Sequence, residues 1–270
     1  MARRYLLFFA LTPSGHLQGI IVVSVLSAQT KQTQRHREPC GACADCEVRK
    51  MAICAALQDD ALDALESIMT SRKLETGEML VEEGAPKLKV FSLTAGLLRL
   101  FTLLPDGRRQ ISGFLYPGDY LGLADDGTYS QTAEAVVPSA LCSFSVNEMD
   151  GLMEAHPALK DRLYVMTREA LRQSRDNQLV LGRLAPVEKL ASFLLVLSAQ
   201  AERVGQPANP VHLAMNRTDI ADYLGLTIET VSRCFTKMRT QGLIHLPDAN
   251  TVTILSHRSL SAVAGAEFKS

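Results

Sequence analysis

At 270 residues, 47% hydrophobic and 21% charged, the chain is long enough for a sizeable core and two domains, and its composition excludes a disordered protein. A formal net charge of −1 excludes a broadly basic nucleic-acid coat, so any nucleic-acid contact must rest on one local basic element. Six cysteines are too few for a disulfide scaffold and too clustered for scattered core residues, which points to a metal site in a reducing compartment.

Residues 1–38 read as a tail. Arg3-Arg4 before Tyr5 to Leu11, with small residues at Val25-Leu-Ser-Ala28, has the outline of a secretory signal. Polar Thr12-Pro-Ser-Gly-His16 interrupts the apolar run and leaves too little on either side to span a bilayer. No Met lies between Met1 and Met51, so a start codon around Val22 to Val25 would place residues 1–24 ahead of the true start. Residues 29–39 are polar, aperiodic and linker-like.

Residues 39–72 form a cysteine loop and a short helix. The loop carries Cys43-x2-Cys46-x7-Cys54, and Leu57, Leu62, Leu65, Ile68 and Met69 then recur at roughly helical spacing. Residues 73–148 change character: short apolar runs are punctuated by Gly77, Gly84, Gly96, Pro105-Asp-Gly107, Gly113 and Pro117-Gly-Asp119, the pattern of a sandwich or jelly-roll barrel. Cys142 falls in one of its last strands.

Residues 149–184 hold a long helix that opens at Pro157. Its heptad positions Leu159, Leu163, Met166, Ala170, Gln173, Asn177 and Val180 are apolar at both ends and polar in the middle, which suits a seam between two subunits. Residues 185–262 continue with an apolar helix at 189–201 and then helix, Gly225 turn and helix, followed by a hairpin wing from Gly242 to Leu255. Residues 263–270 are a tail.

Two sets of residues carry chemistry. Cys43, Cys46, Cys54 and Cys142 are soft donors, suited to zinc, copper(I) or an iron–sulfur cluster. Structural zinc sites more often use two short cysteine pairs than one pair with two single cysteines. Glu229, Ser232 and Arg233 lie near the start of the second helix of the pair, where a recognition helix enters the major groove. There Arg can bind guanine O6 and N7, Glu can accept from a cytosine amine, and Ser can serve base or phosphate. Lys237 and Arg239 extend the basic side toward phosphates, whereas Cys234 beside Phe235 reads as a small buried hydrophobe.

With a barrel, a long helix and a winged helix-turn-helix in this order, the chain resembles the Crp/Fnr superfamily of transcription regulators over residues 55–262. Its cysteines, Gly113-Phe-Leu-Tyr-Pro-Gly-Asp-Tyr-Leu-Gly122 and Leu226-Thr-Ile-Glu-Thr-Val-Ser-Arg233 point to the Fnr branch. The resemblance implies an α+β architecture: an N-terminal jelly-roll barrel like those that bind cyclic nucleotides, a dimerisation helix and a C-terminal DNA-binding domain. It implies Cys43, Cys46, Cys54 and Cys142 as ligands of an oxygen-labile [4Fe-4S] cluster that supports homodimers on a TTGAT-N4-ATCAA-type palindrome. Zinc or a thiol-redox sensor is the alternative, and an iron–sulfur electron carrier is an alternative of another class.

Cys40 stands outside the family's three-cysteine pattern. The segment matching the cyclic-nucleotide phosphate site, Gly118 to Thr132, has no basic residue and carries Asp125 and Asp126, so no cyclic nucleotide is expected. No phosphate loop, nucleophile elbow or metalloprotease helix is present, which speaks against an enzyme. A cytoplasmic location follows, since export would destroy the cysteine site, and RNA polymerase is the implied protein partner. Oxygen attack would release the clamp, and because Gln173, Ser174 and Asn177 weaken the seam, dimer and monomer would lie close in energy. The implied targets are anaerobic or microaerobic genes.

Overall fold

A computed structural model describes residue 43 and residues 46–57 and 59–265. The signal-like segment, Cys40 and the last residues of the tail lie outside the described residues.

The cysteine segment turns from Cys46 into a short 3-10 helix, Ile53–Ala56, and then into α1, Asp59–Ile68. Leu62 and Leu65 form the buried stripe of α1, and Met69 continues it just past the helix end. Six antiparallel strands follow: β1 (Thr70–Leu74), β2 (Met79–Val81), β3 (Lys89–Leu103), β4 (Arg109–Leu115), β5 (Tyr120–Leu121) and β6 (Thr132–Ser145). Their order is β1-β6-β3-β4, with β2 added to β6 and β5 to β3. The two long strands pair from Lys89↔Ser145 to Phe101↔Thr132, and the register shifts between Leu93 and Leu98, where the bulges allow the sheet to curl. Phe91, Leu93, Leu98, Leu121 and Leu141 fill the barrel interior. Their alternates Val90, Tyr120, Cys142 and Phe144 pack on the other face, against the cysteine segment.

The barrel is followed by α2 (Val146–Ala155), a separate helix ahead of the break at His156. Pro157 then opens α3 (Pro157–Arg183), where its fixed φ and missing N–H cost nothing. α4 (Pro186–Arg203) leads into the C-terminal part: β7 (Val211–His212), α5 (Arg217–Leu224), α6 (Ile228–Thr240), β8 (Ile244–His245), β9 (Thr251–Ile254) and α7 (His257–Val263). The wing is a three-stranded sheet ordered β7-β9-β8, one strand more than the hairpin read from the sequence. Among the described residues, no helix is long and apolar enough to cross a membrane.

Candidate metal centre and nucleic-acid interface

Cys142 is held in β6 opposite Ser71 of β1 and Ser92 of β3, so the sheet fixes its backbone on both sides. It faces a cavity of about 210 Å³ also lined by Cys43, Cys46, Glu47, Val48, Met69 and Thr94. Three of the four expected ligands therefore border one space. Cys54 is buried in the 3-10 helix and does not line the cavity; its Sγ lies 3.9 Å from the Arg49 carbonyl oxygen. Burial pushes the Cys54 thiol up, and the charge of Cys46 adds to the effect. Among the described residues, no three His, Cys, Asp or Glu side chains converge closely enough to hold a metal ion.

The segment that carries these thiols is gripped from several sides. Gly118 takes φ +94°, and a Cβ there would come within 2.9 Å of Met51 Cβ, so only glycine lets the barrel approach this closely. The Cys43 N–H donates to Glu66 Oε2 on α1 at 3.4 Å, and Arg49 Nη2 donates to the Leu57 carbonyl at 3.2 Å. From α3, Arg162 donates to the carbonyl of Met51 through Nη2 and to that of Ala52 through Nε, the latter at 3.4 Å. Leu159 is 0% exposed in the core shared by Cys43, Cys54, Ile53 and Phe144, and Leu163 and Met166 pack partly against it.

That packing changes the reading of α3. Leu159 is fully enclosed by its own chain, and Leu163, Met166, Asn177 and Val180 are half-buried, which leaves Ala170 and Gln173 as the exposed members of the expected seam. An adjacent row, Tyr164, Thr167, Leu171, Ser174 and Gln178, is exposed throughout and has the same alternating spacing of three and four. Tyr164 is 65% and Leu171 52% exposed.

The reader is built on two capped helices. Asn216 caps α5 by accepting from Asp219 N at 2.9 Å, and Thr227 caps α6 by accepting from Thr230 N at 3.2 Å. Between them Gly225 sits in the left-handed region at φ +61°, which sets the turn, while the buried Lys189 donates to the terminal Leu224 carbonyl at 3.2 Å. Val231, Cys234, Phe235 and Met238 bury the inner face of α6. Glu229, Ser232, Arg233 and Lys237 are left exposed on the outer side. Backbone hydrogen bonding at the helix start, followed by the Thr227 hydroxyl, holds the Glu229 carboxyl below its usual range and keeps it an acceptor.

The loop after Gly118 holds a surprise. Lys87, which lies outside the matching segment, reaches into it and donates to the carbonyls of Gly122 and Asp125. Asp125 in turn accepts from Ser130 N at 2.9 Å and from Ser130 Oγ at 2.6 Å. The local positive charge is thus spent on the backbone.

Comparison with known proteins agrees with this geometry. A family model for the cyclic nucleotide-binding domain matches residues 71–156, and one for the Crp-like helix-turn-helix domain matches residues 188–263. The nitrogen fixation regulation protein FixK of Bradyrhizobium diazoefficiens is 36% identical over 83% of this chain and 94% of its own length. The transcriptional activator protein Anr of Pseudomonas aeruginosa is 34% identical over 84% and 94%. The solved structure of FixK2 from Bradyrhizobium japonicum superposes with a TM-score of 0.68 at 32% identity, covering 73% of this chain and 97% of that one. These relatives are regulators, not enzymes, and with both family models matching, the chain belongs to the Crp/Fnr superfamily, as an Fnr-type DNA-binding transcription regulator.

Proposed function

We propose that Cys43, Cys46, Cys54 and Cys142 hold a [4Fe-4S] cluster, and that the bound state favours a homodimer on palindromic promoter DNA and so sets gene expression by oxygen. The observation that carries this reading is the cavity in which a barrel cysteine faces two cysteines of the N-terminal segment, directly beside α3. The donor set fits the group in kind: all four positions are thiols, and three of them border a space of about 210 Å³. The same thiols would serve zinc or a thiol switch, and the spectrum separates these readings. Protein purified without oxygen is expected to be brown, to contain iron and sulfide, and to bleach in air; a colourless, zinc-loaded protein would contradict the proposal.

When bound, the cluster supplies thiolate bonds joining the segment to the barrel and a core labile to oxygen. The chain does the rest. With the segment seated, Arg162 holds its backbone and Leu159 is enclosed, so the first turns of α3 have a fixed bed. Arg162→Ala removes that grip on the Met51 and Ala52 carbonyls. It is expected to weaken dimers by about 1–3 kcal/mol, measured by sedimentation of the anaerobic protein, with the visible spectrum retained.

We assign the seam to Tyr164, Thr167, Leu171, Ser174 and Gln178, the row that is exposed along its whole length. The dimer then presents two α6 helices to successive major grooves. Arg233→Ala is expected to cost about 1–3 kcal/mol per half-site and to relax preference at one base position, read by binding to a panel of single-base variants; equal losses on specific and random DNA would make Arg233 a phosphate contact. Anaerobic or microaerobic genes as targets, RNA polymerase as partner, and a barrel that takes no cyclic nucleotide complete the reading.

A further inference from the structure

The reader is fastened to the barrel by a buried ion network that base reading does not require. Asp219, in the first turn of α5, is 1% exposed. Its two oxygens accept from Arg99 Nη1 at 3.0 and 3.2 Å, and Oδ1 also accepts from Arg109 Nη2 at 2.7 Å. Arg109 Nε reaches Asp222 Oδ2 at 2.9 Å, and Gln110 donates to the Asp222 carbonyl at 2.8 Å. Arg99 also pairs with Glu134, its cross-strand neighbour on β6. Beside this network, Phe114 of β4 packs on Tyr223 of α5 at 5.5 Å between ring centroids, and Tyr223 packs on Phe193 of α4 at 5.4 Å. Arg203 of α4 donates to Asp119 of the barrel at 2.9 Å.

Two properties give this contact a role. A buried ion network adds little net stability over apolar packing, yet it penalises every other placement, because a separated Asp219 or arginine leaves a desolvated charge unpaired. The network also engages α5 and leaves the outer side of α6 exposed. It therefore orients the reader without covering it.

We propose that Arg99, Arg109, Asp219 and Asp222 are positioning residues for DNA recognition: they lock the reader at one orientation on the barrel, and in the dimer this fixes the distance between the two α6 helices. The latch selects the spacer length between half-sites, a property that contacts to bases alone do not set. This rests on the dimeric, palindrome-binding reading above. The latch is also built on the frame that holds the thiol site, since β3 and β6 pair at Ser92↔Cys142 and again at Arg99↔Glu134.

The test uses full-length anaerobic protein and duplexes carrying the TTGAT and ATCAA half-sites with three-, four- or five-base-pair spacers, together with a duplex carrying one half-site. Arg109→Gln and Asp222→Asn are the variants, both at half-buried positions. Wild type is expected to prefer one spacer, and Arg109→Gln to cut that preference by about tenfold while single half-site binding stays the same. The double variant should be no worse than the poorer single, because both act on one network. Spacer preference retained in a folded Arg109→Gln protein overturns the latch, as does parallel loss on palindrome and single half-site. If Arg109→Gln does not fold, Asp222→Asn carries the same expectation and the same refutation. A wild type that binds none of the duplexes overturns the palindrome-binding reading and the latch with it, whereas one that binds all three spacers alike overturns the latch alone.

Discussion

Cys142→Ala protein purified without oxygen is expected to be colourless, largely monomeric and roughly a hundredfold weaker than wild type on a palindromic site. The magnitude follows from population: if the ligated segment moves the protein from about 1% to about 99% dimer-competent, losing that ligation lowers apparent affinity by the same factor. Cys142 is the decisive position because it is the one expected ligand on the rigid sheet, paired on both sides by β1 and β3. Cys43, Cys46 and Cys54 all belong to the segment being held. Without Cys142 the segment keeps its hydrogen bonds from Arg162 and its packing against Leu159 but has no covalent tie to the barrel. Cys234→Ala is the matched control. That thiol is buried inside the reader, and burial pushes its pKa up, so the visible spectrum should not change.

The second large effect separates two readings of α3. Ser174→Leu is expected to give dimers and specific DNA binding that persist in air, while Gln173→Leu leaves oxygen sensitivity close to wild type. Ser174 lies in the fully exposed row with Tyr164 and Leu171, so a leucine there is buried twice in a symmetric dimer. At about 1.5–3 kcal/mol for each buried side chain, the dimer gains about 3 kcal/mol or more, on the order of a hundredfold in its dissociation constant. Gln173 belongs to the row whose first members Leu159, Leu163 and Met166 are drawn into their own chain. Sizing and gel-shift assays of both variants, with and without air, decide the register; a dominant effect of Gln173→Leu would restore the other row.

Much of the architecture was legible in the sequence because each part carries a local signal. Gly225 between two capped helices marks the reader, and glycine and proline turns between short apolar runs mark the barrel. Pro157 marks the start of the long helix. What was not legible comes from tertiary packing. Heptad spacing in α3 suits two neighbouring rows, and the burial of Leu159 in its own chain tells them apart.

The same limit applies to the sites. Cysteine spacing pointed to four thiols, and three of them border one cavity, but Arg162 reaches the segment from 110 positions away and has no motif to announce it. Thr94 was discoverable in principle, since it shares the Cys142 cavity from the paired strand. Lys87 escaped because the phosphate-site comparison covered only residues 118–132, while its target carbonyls at Gly122 and Asp125 lie 35 and 38 residues along the chain. The latch of Arg99 and Arg109 with Asp219 spans at least 110 positions and leaves no periodic trace.

The most direct measurement is binding of anaerobically purified protein to a palindromic duplex before and after exposure to air, with the visible spectrum recorded on the same sample. Specific binding that falls in step with bleaching, together with conversion of dimer to monomer, is the predicted result. Binding that is indifferent to air in a protein that has bleached would contradict a switch that runs from the cysteine site through α3 to DNA.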